Sequence, residues 1–140
     1  MMQVVIVDDE PSARRTLREC CAREPDLHIA GEYGDGRSAL SAILASPPDL
    51  LFLDIQIDSV NGIALARSLD PQTLPDIVFV TAYDRYALEA FEVCASDYLL
   101  KPFDYQRFQA TGRPGETQTR GCAKRRSTQC TALGRLETGA

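Results

Sequence analysis

The residues of this chain best suited to joint chemistry stand at the ends of apolar runs. VVIV at 4–7 stops on Asp8 and Asp9, LLFL at 50–53 stops on Asp54, IVFV at 77–80 stops on Thr81, and YLL at 98–100 stops on Lys101. Short continuous apolar runs of this kind read as strands buried on both faces. In an open parallel sheet, ligands gather in the crevice outside the carboxyl ends of the strands. Three carboxylates brought together there repel one another, and each is driven toward its protonated form. A divalent cation relieves that repulsion. Mg²⁺ (or Mn²⁺) takes hard oxygen ligands and keeps positions open for water and phosphate. Lys101 supplies a point charge for an anion, and the Thr81 hydroxyl can donate a hydrogen bond to it. These are the parts that stabilise a transferring phosphoryl group. Asp54 is the expected nucleophile, since an aspartate can form an acyl phosphate. Each residue has a plainer reading: Asp8, Asp9 and Glu10 before Pro11 could simply cap a helix and complement its dipole, Asp54 could be a turn residue, Thr81 a strand terminus and Lys101-Pro102 an ordinary loop. The plain readings require coincidence at four strand ends at once.

The elements that must position these residues follow from the pattern between them. Strands are expected over 3–7, 27–33, 50–54, 77–80 and 98–100. After the first comes a helix opened by Pro11 and ended by Pro25, with Ala13, Leu17, Cys20 and Cys21 at helical spacing. Asp35 can cap a second helix, carrying Ala39, Leu40, Ile43 and Leu44 and stopping before Pro47 and Pro48. A loop through Asn61-Gly62 leads to a short helix with Ile63, Ala66 and Leu69 inward, and Pro71 and Pro75 bracket the next loop. Asp84 can cap a helix holding Ala87, Leu88 and Phe91, and a last helix should begin near Asp104 with Phe108 inward. Five strand–helix repeats call for a parallel sheet with helices on both faces, joined by right-handed crossovers. DDEP stands where a glycine-rich phosphate loop would follow the first strand, and neither GxGxxG nor GK[ST] occurs, so dinucleotide and P-loop readings fall.

Composition narrows the class further. The 140 residues suffice for one domain with a sizeable core. No apolar run approaches the length of a membrane span, and the N-terminus has no basic segment of a signal peptide, so a cytoplasmic protein without a membrane partner is expected. Five cysteines (Cys20, Cys21, Cys94, Cys122, Cys130) without CxxC spacing, and a single His28, argue for free thiols in a reducing compartment rather than zinc. Residues 1–109 hold 18 acids against 9 Lys and Arg, whereas residues 110–140 hold 2 acids against 6. That change of sign marks two kinds of segment.

VVIVDDEP, LLFLDIQ, NG, VFVTAYD and DYLLKPF together resemble the receiver domain of two-component response regulators, over about residues 1–109. The stretch VTAYDRYALEAFEVCASDYLLKPF is most similar to the LytTR-type subfamily, whose members carry a DNA-binding domain after the receiver. The resemblance implies an α/β, flavodoxin-like three-layer fold with a five-stranded parallel sheet in the order 2-1-3-4-5. It implies that Asp54 is the phosphoacceptor for a sensor histidine kinase. Asp8 and Asp9 form the acidic pocket with Asp9 a direct Mg²⁺ ligand, and Gln56 offers its backbone carbonyl to the metal. Thr81 bonds the phosphoryl group, Lys101 pairs with it, and Tyr98 is the switch aromatic whose rotamer follows Thr81. Asp58 departs from the family, which mostly has proline there; it is expected to tighten divalent binding and disfavour the incoming phosphoryl dianion. Tyr83 is expected to hinder the attacking water.

Three function classes remain to be weighed. A phosphorylation-switched receiver, self-phosphorylating rather than a turnover enzyme, is the primary expectation. An aspartyl-phosphate phosphatase or phosphotransferase would want a second acid two residues after the nucleophile, where Gln56 stands. A stand-alone receiver or a binding module that is never phosphorylated is the third reading, opposed by the acidic pair, Thr81 and Lys101. Residues 110–140 contain only Leu133 and Leu136 as large aliphatics, too little to offset ordering entropy. They read as a basic disordered tail, from a truncated or frame-shifted coding sequence or from a native single-domain receiver. Lys124-Arg125-Arg126 reads as a solvated charge run, with no specific DNA binding by this chain. A homodimer through the helix 4–strand 5–helix 5 face is expected, weakened by a clipped last helix.

Overall fold

The computed structural model describes residues 1–57, 60–93 and 95–111. Five parallel strands form the central sheet: β1 (Met2–Val7), β2 (Leu27–Tyr33), β3 (Leu50–Leu53), β4 (Asp76–Thr81) and β5 (Asp97–Leu100). Their order is β2-β1-β3-β4-β5, the order that the receiver resemblance implies, in the parallel, doubly wound form that the strand–helix repeats call for. Successive residues of each strand point to opposite faces, so the unbroken apolar runs supply two cores. Val5, Val7, Leu51, Leu53, Ile77 and Phe79 face α2 (Gly36–Ala45), α3 (Gly62–Arg67) and α4 (Ala87–Glu92). Val4, Ile6, Phe52, Val78, Val80 and Leu99 face α1 (Pro11–Ala22) and α5 (Tyr105–Gln109).

Local chemistry sets the helix boundaries. Pro11 opens α1, and Ala13, Leu17, Cys20 and Cys21 form its buried stripe. The carboxylate of Asp35 accepts from Ser38 N at 2.7 Å, Asn61 Oδ1 accepts from Ile63 N and Ala64 N, and Asp104 accepts from Arg107 N at 2.8 Å. Each side chain satisfies amides that the first helical turn leaves without partners. α5 is pinned to β3 and to the end of α1: Phe108 stacks on Phe52 of β3 at 5.5 Å, the Tyr105 hydroxyl donates to Glu24, and the Arg23 guanidinium lies 3.8 Å from the centre of the Tyr105 ring.

Several local expectations need correction. Leu44 and Leu88 are exposed, at 54% and 78%, because the narrow stripes of α2 and α4 are completed by Ala39 and Ile43 and by Ala90. Asp84 does not cap α4; it begins a 3₁₀ turn, Asp84–Tyr86, that leads into the helix. The segment between Asp54 and α3 is not plain loop, since Gln56–Ile57 pairs antiparallel with Val60–Asn61. Leu69 is buried but lies beyond the end of α3. The expectations for Asp58, Cys94 and the Phe91 side chain, and those for residues 112–140, lie outside the described residues.

Candidate functional site

Backbone hydrogen bonds bring the ends of the strands into line. Asp54 N donates to Val7 O at 3.0 Å, Asp8 N to Tyr33 O at 3.0 Å, and Lys101 N to Thr81 O at 2.8 Å. These bonds place Asp8, Asp54, Thr81 and Lys101 side by side along the carboxyl edge of the sheet. Asp8 is fully buried, Asp54 and Thr81 nearly so, while Asp9 is exposed at the rim. One carboxylate oxygen from each of Asp8, Asp9 and Asp54 lies within 4.8 Å of the others.

Lys101 is the cation of the cluster, on a cis Lys101-Pro102 peptide bond. Its Nζ lies 2.9 Å from Asp8 Oδ2, 3.2 Å from Asp54 Oδ2 and 2.7 Å from Glu10 Oε1. Burial works against the ammonium charge, but the bonds to Glu10 and Asp8 and the neighbouring Asp54 push its pKa upward. Asp54 is shifted the other way from the usual carboxylate. Burial first, and then the Asp8 charge, raise its pKa from 3.8 to about 6, against the pull of Lys101 and the Gln56 amide. The lysine therefore offsets only part of the acidic charge.

A divalent cation fits what remains. Asp8 Oδ2 is buried and shares the Lys101 ammonium, 2.9 Å away, with Asp54 and Glu10. A buried carboxylate that shares one ammonium with two other acids is left short of neutralising charge. Three hard oxygen donors converging within 4.8 Å around it are the donor set that Mg²⁺ or a similar ion prefers. A cleft of about 290 Å³ opens over the cluster, lined by Asp9, Asp54, Gln56, Thr81, Tyr83 and Lys101, with Glu10 and Ala82 completing the wall.

The structure thus brings Asp8, Asp9, Asp54, Gln56, Thr81 and Lys101 to one cleft. Tyr98 stands apart from it, joined through the loop after β4. Its hydroxyl donates to Tyr83 O, and Tyr83 N donates to Thr81 Oγ1 at 3.3 Å. Glu10 and Tyr86 carry no site role in the sequence reading. Glu10 stands at the N-cap of α1 but makes no side-chain capping bond there, and its carboxylate turns to Lys101 instead. Its membership in the acidic run after β1 was the available signal. The Gln56 side chain reaches Tyr86, with Nε2 donating to the Tyr86 hydroxyl at 3.2 Å, a contact that no spacing announces.

Comparison with known proteins agrees with this geometry. The family described as "Response regulator receiver domain" matches residues 4–112. An uncharacterised response regulatory protein of Yersinia pestis is 50% identical over 111 residues, covering 79% of this chain and 47% of its own length. The transcriptional regulatory protein BtsR of Escherichia coli is 46% identical over 111 residues, covering 79% of this chain and 46% of its own. The chain therefore spans about half the length of these relatives. The response regulatory domain of mrkE from Klebsiella pneumoniae superposes with a TM-score of 0.72 at 34% identity, covering 88% of this chain and 96% of that one.

Proposed function

The chain belongs to the response regulator receiver family, and from that premise we propose that Asp54 accepts a phosphoryl group from a sensor histidine kinase and thereby switches the domain between two conformations. The observation that carries this reading is the buried Asp54 carboxylate, held within reach of Asp8, Asp9 and Lys101 at the mouth of one cleft. In the proposed step an Asp54 oxygen attacks phosphorus, and the bond from phosphorus to the donor's imidazole nitrogen breaks. Lys101 then pairs with the phosphoryl oxygens. Thr81 turns its hydroxyl toward them, giving up the bond it accepts from Tyr83 N and so loosening the Tyr83–Tyr98 link. Asp8, Asp9, Asp54 and the Gln56 backbone carbonyl would hold Mg²⁺. When bound, the ion would offset the charge that develops on the phosphoryl oxygens.

The chemistry proposed is self-phosphorylation and self-dephosphorylation, not turnover of free substrates. Gln56 supports this over a phosphatase, because it supplies no second acid beside Asp54. The parent is proposed to be a LytTR-type transcription regulator of the cytoplasm. That is supported by the 80–103 stretch and the likeness to a transcriptional regulatory protein. Any specific DNA contact would then belong to an output domain rather than to the residues described. Among the described residues no helix is long and apolar enough to cross a membrane. Leu88 and Leu100, exposed on α4 and β5, support pairing of two copies through the α4–β5–α5 face.

The reading is tested with acetyl phosphate as donor. Wild-type protein with Mg²⁺ should form a phosphoprotein that hydroxylamine cleaves, as it cleaves acyl phosphates. Chelation of the metal, or Asp9→Asn, should lower its yield at least about tenfold, the scale of a lost metal ligand or its support. A phosphoprotein stable to hydroxylamine would contradict an aspartyl phosphate.

A further inference from the structure

Gln56 lines the cleft over Asp54, yet its side-chain amide is engaged outside it. Nε2 donates to the hydroxyl of Tyr86, which is not among the residues lining that cleft. Tyr86 itself is held from two sides. The Tyr86 ring packs, partly buried, against the core beneath α3 and α4. Its hydroxyl accepts a second bond from Arg85 Nη2 at 3.1 Å, and the Arg85 guanidinium lies over both the Tyr86 and Tyr83 rings, at 4.9 and 4.6 Å. A glutamine amide beside a phosphoryl group is a competent water-orienting group, as nucleotide triphosphatases show. Here that amide is held elsewhere.

We propose that Tyr86 is a positioning residue that prolongs the life of the phosphorylated domain by holding the Gln56 amide away from the water that attacks phosphorus. This rests on Asp54 being the phosphoacceptor. In the step restrained, a water oxygen bonds to phosphorus and the bond from phosphorus to the Asp54 oxygen breaks. Asp54 regains its carboxylate, one water proton stays on the released phosphate, and the other passes to solvent. Freed from Tyr86, the Gln56 amide can swing toward the cleft and hold that water in line.

The test compares wild type with Tyr86→Phe, Gln56→Leu and the double variant, each loaded from acetyl phosphate with Mg²⁺ and followed by phosphate release. Phe keeps the ring and removes only the hydroxyl. Tyr86→Phe should shorten the phosphoryl lifetime about two- to tenfold, the range set by one hydrogen bond. The double variant should match Gln56→Leu in lifetime, because the tether acts only through Gln56. In metal-free, unphosphorylated protein, the side-chain amide NMR signals of Gln56 should move on Tyr86→Phe. Unmoved signals, an unchanged lifetime in Tyr86→Phe, or a double variant shorter-lived than Gln56→Leu would each overturn the proposal. If none of the four proteins acquires a phosphoryl group, the phosphoacceptor reading fails and the proposal with it. Phosphorylation with unresponsive lifetimes sinks the Tyr86 role alone.

Discussion

Asp54 sits in surroundings that disfavour its own charge, and the consequence is measurable without any phosphoryl donor. Its pKa in the folded protein, about 6, lies above its ordinary 3.8, chiefly through burial and then through Asp8. The folded state therefore holds this proton more tightly than the unfolded chain. The stability it contributes is complete below about pH 4 and is lost as pH rises through 6. Asp54→Asn removes that loss. In metal-free buffer the variant should be more stable than wild type by about 1–2 kcal/mol at pH 7, with Lys101 and the open cleft reducing the full effect. The gap should close near pH 4, as read by chemical denaturation at the two pH values. Asp76, half-buried at the opposite end of the sheet, rises to about 6 through burial as well, so the difference between the proteins isolates Asp54. Mg²⁺ should raise the melting temperature of wild type more than that of Asp54→Asn. At this scale the sequence was generous with Asp8, Asp9, Asp54, Thr81 and Lys101, because each ends an apolar run. It was silent on the Glu10–Lys101 pair and on the Gln56–Tyr86 bond. Those depend on where a side chain turns after its backbone is placed.

At the scale of elements, the junction between β3 and α3 is the tightest point near the site. Asn61 Oδ1 accepts from Ile63 N at 2.8 Å and from Ala64 N at 3.2 Å. Asn61→Ala should cost about 1 kcal/mol in denaturant titrations, the usual loss for an N-cap. Gly62 follows it against the backbone of Asp54 and Ile55, where an added Cβ would run into the Asp54 carbonyl oxygen. Gly62→Ala should therefore displace the Asp54 backbone and lower both stability and phosphorylation yield, whereas Gly31→Ala meets only the movable Tyr33 side chain and should be mild. Asn61-Gly62 was legible as loop but not as a cap and a close approach, since both depend on the antiparallel pair Gln56–Ile57 and Val60–Asn61 that precedes α3. The start of α4 was misread for a related reason. Asp84 has the composition of a cap, but Tyr98 holds Tyr83 O and the chain enters through a 3₁₀ turn.

Across the whole molecule, the two cores follow from the apolar runs, because a run buried on both faces leaves a parallel sheet little choice but helices on each side, whereas the strand order came from the family resemblance. Helix faces were less legible. Leu44 and Leu88 fit the helical period, yet smaller residues fill the interior positions. The smallest described helix, α5, depends on Phe108, which is 3% exposed and stacks on Phe52. Phe108→Ala should cost about 3–5 kcal/mol, a large share of the stability of a domain this size, and melting with tyrosine fluorescence would read it. Leu88→Glu tests the proposed pairing face. Sedimentation should show weaker self-association with the melt unchanged, because Leu88 is 78% exposed and contributes little to the core. The central claim, that the molecule is built to carry a phosphoryl group on Asp54, is tested most directly by intact mass after incubation with acetyl phosphate and Mg²⁺. Wild type should gain the mass of one phosphoryl group and Asp54→Asn none. An equal gain in both proteins, or none in wild type, would contradict the account.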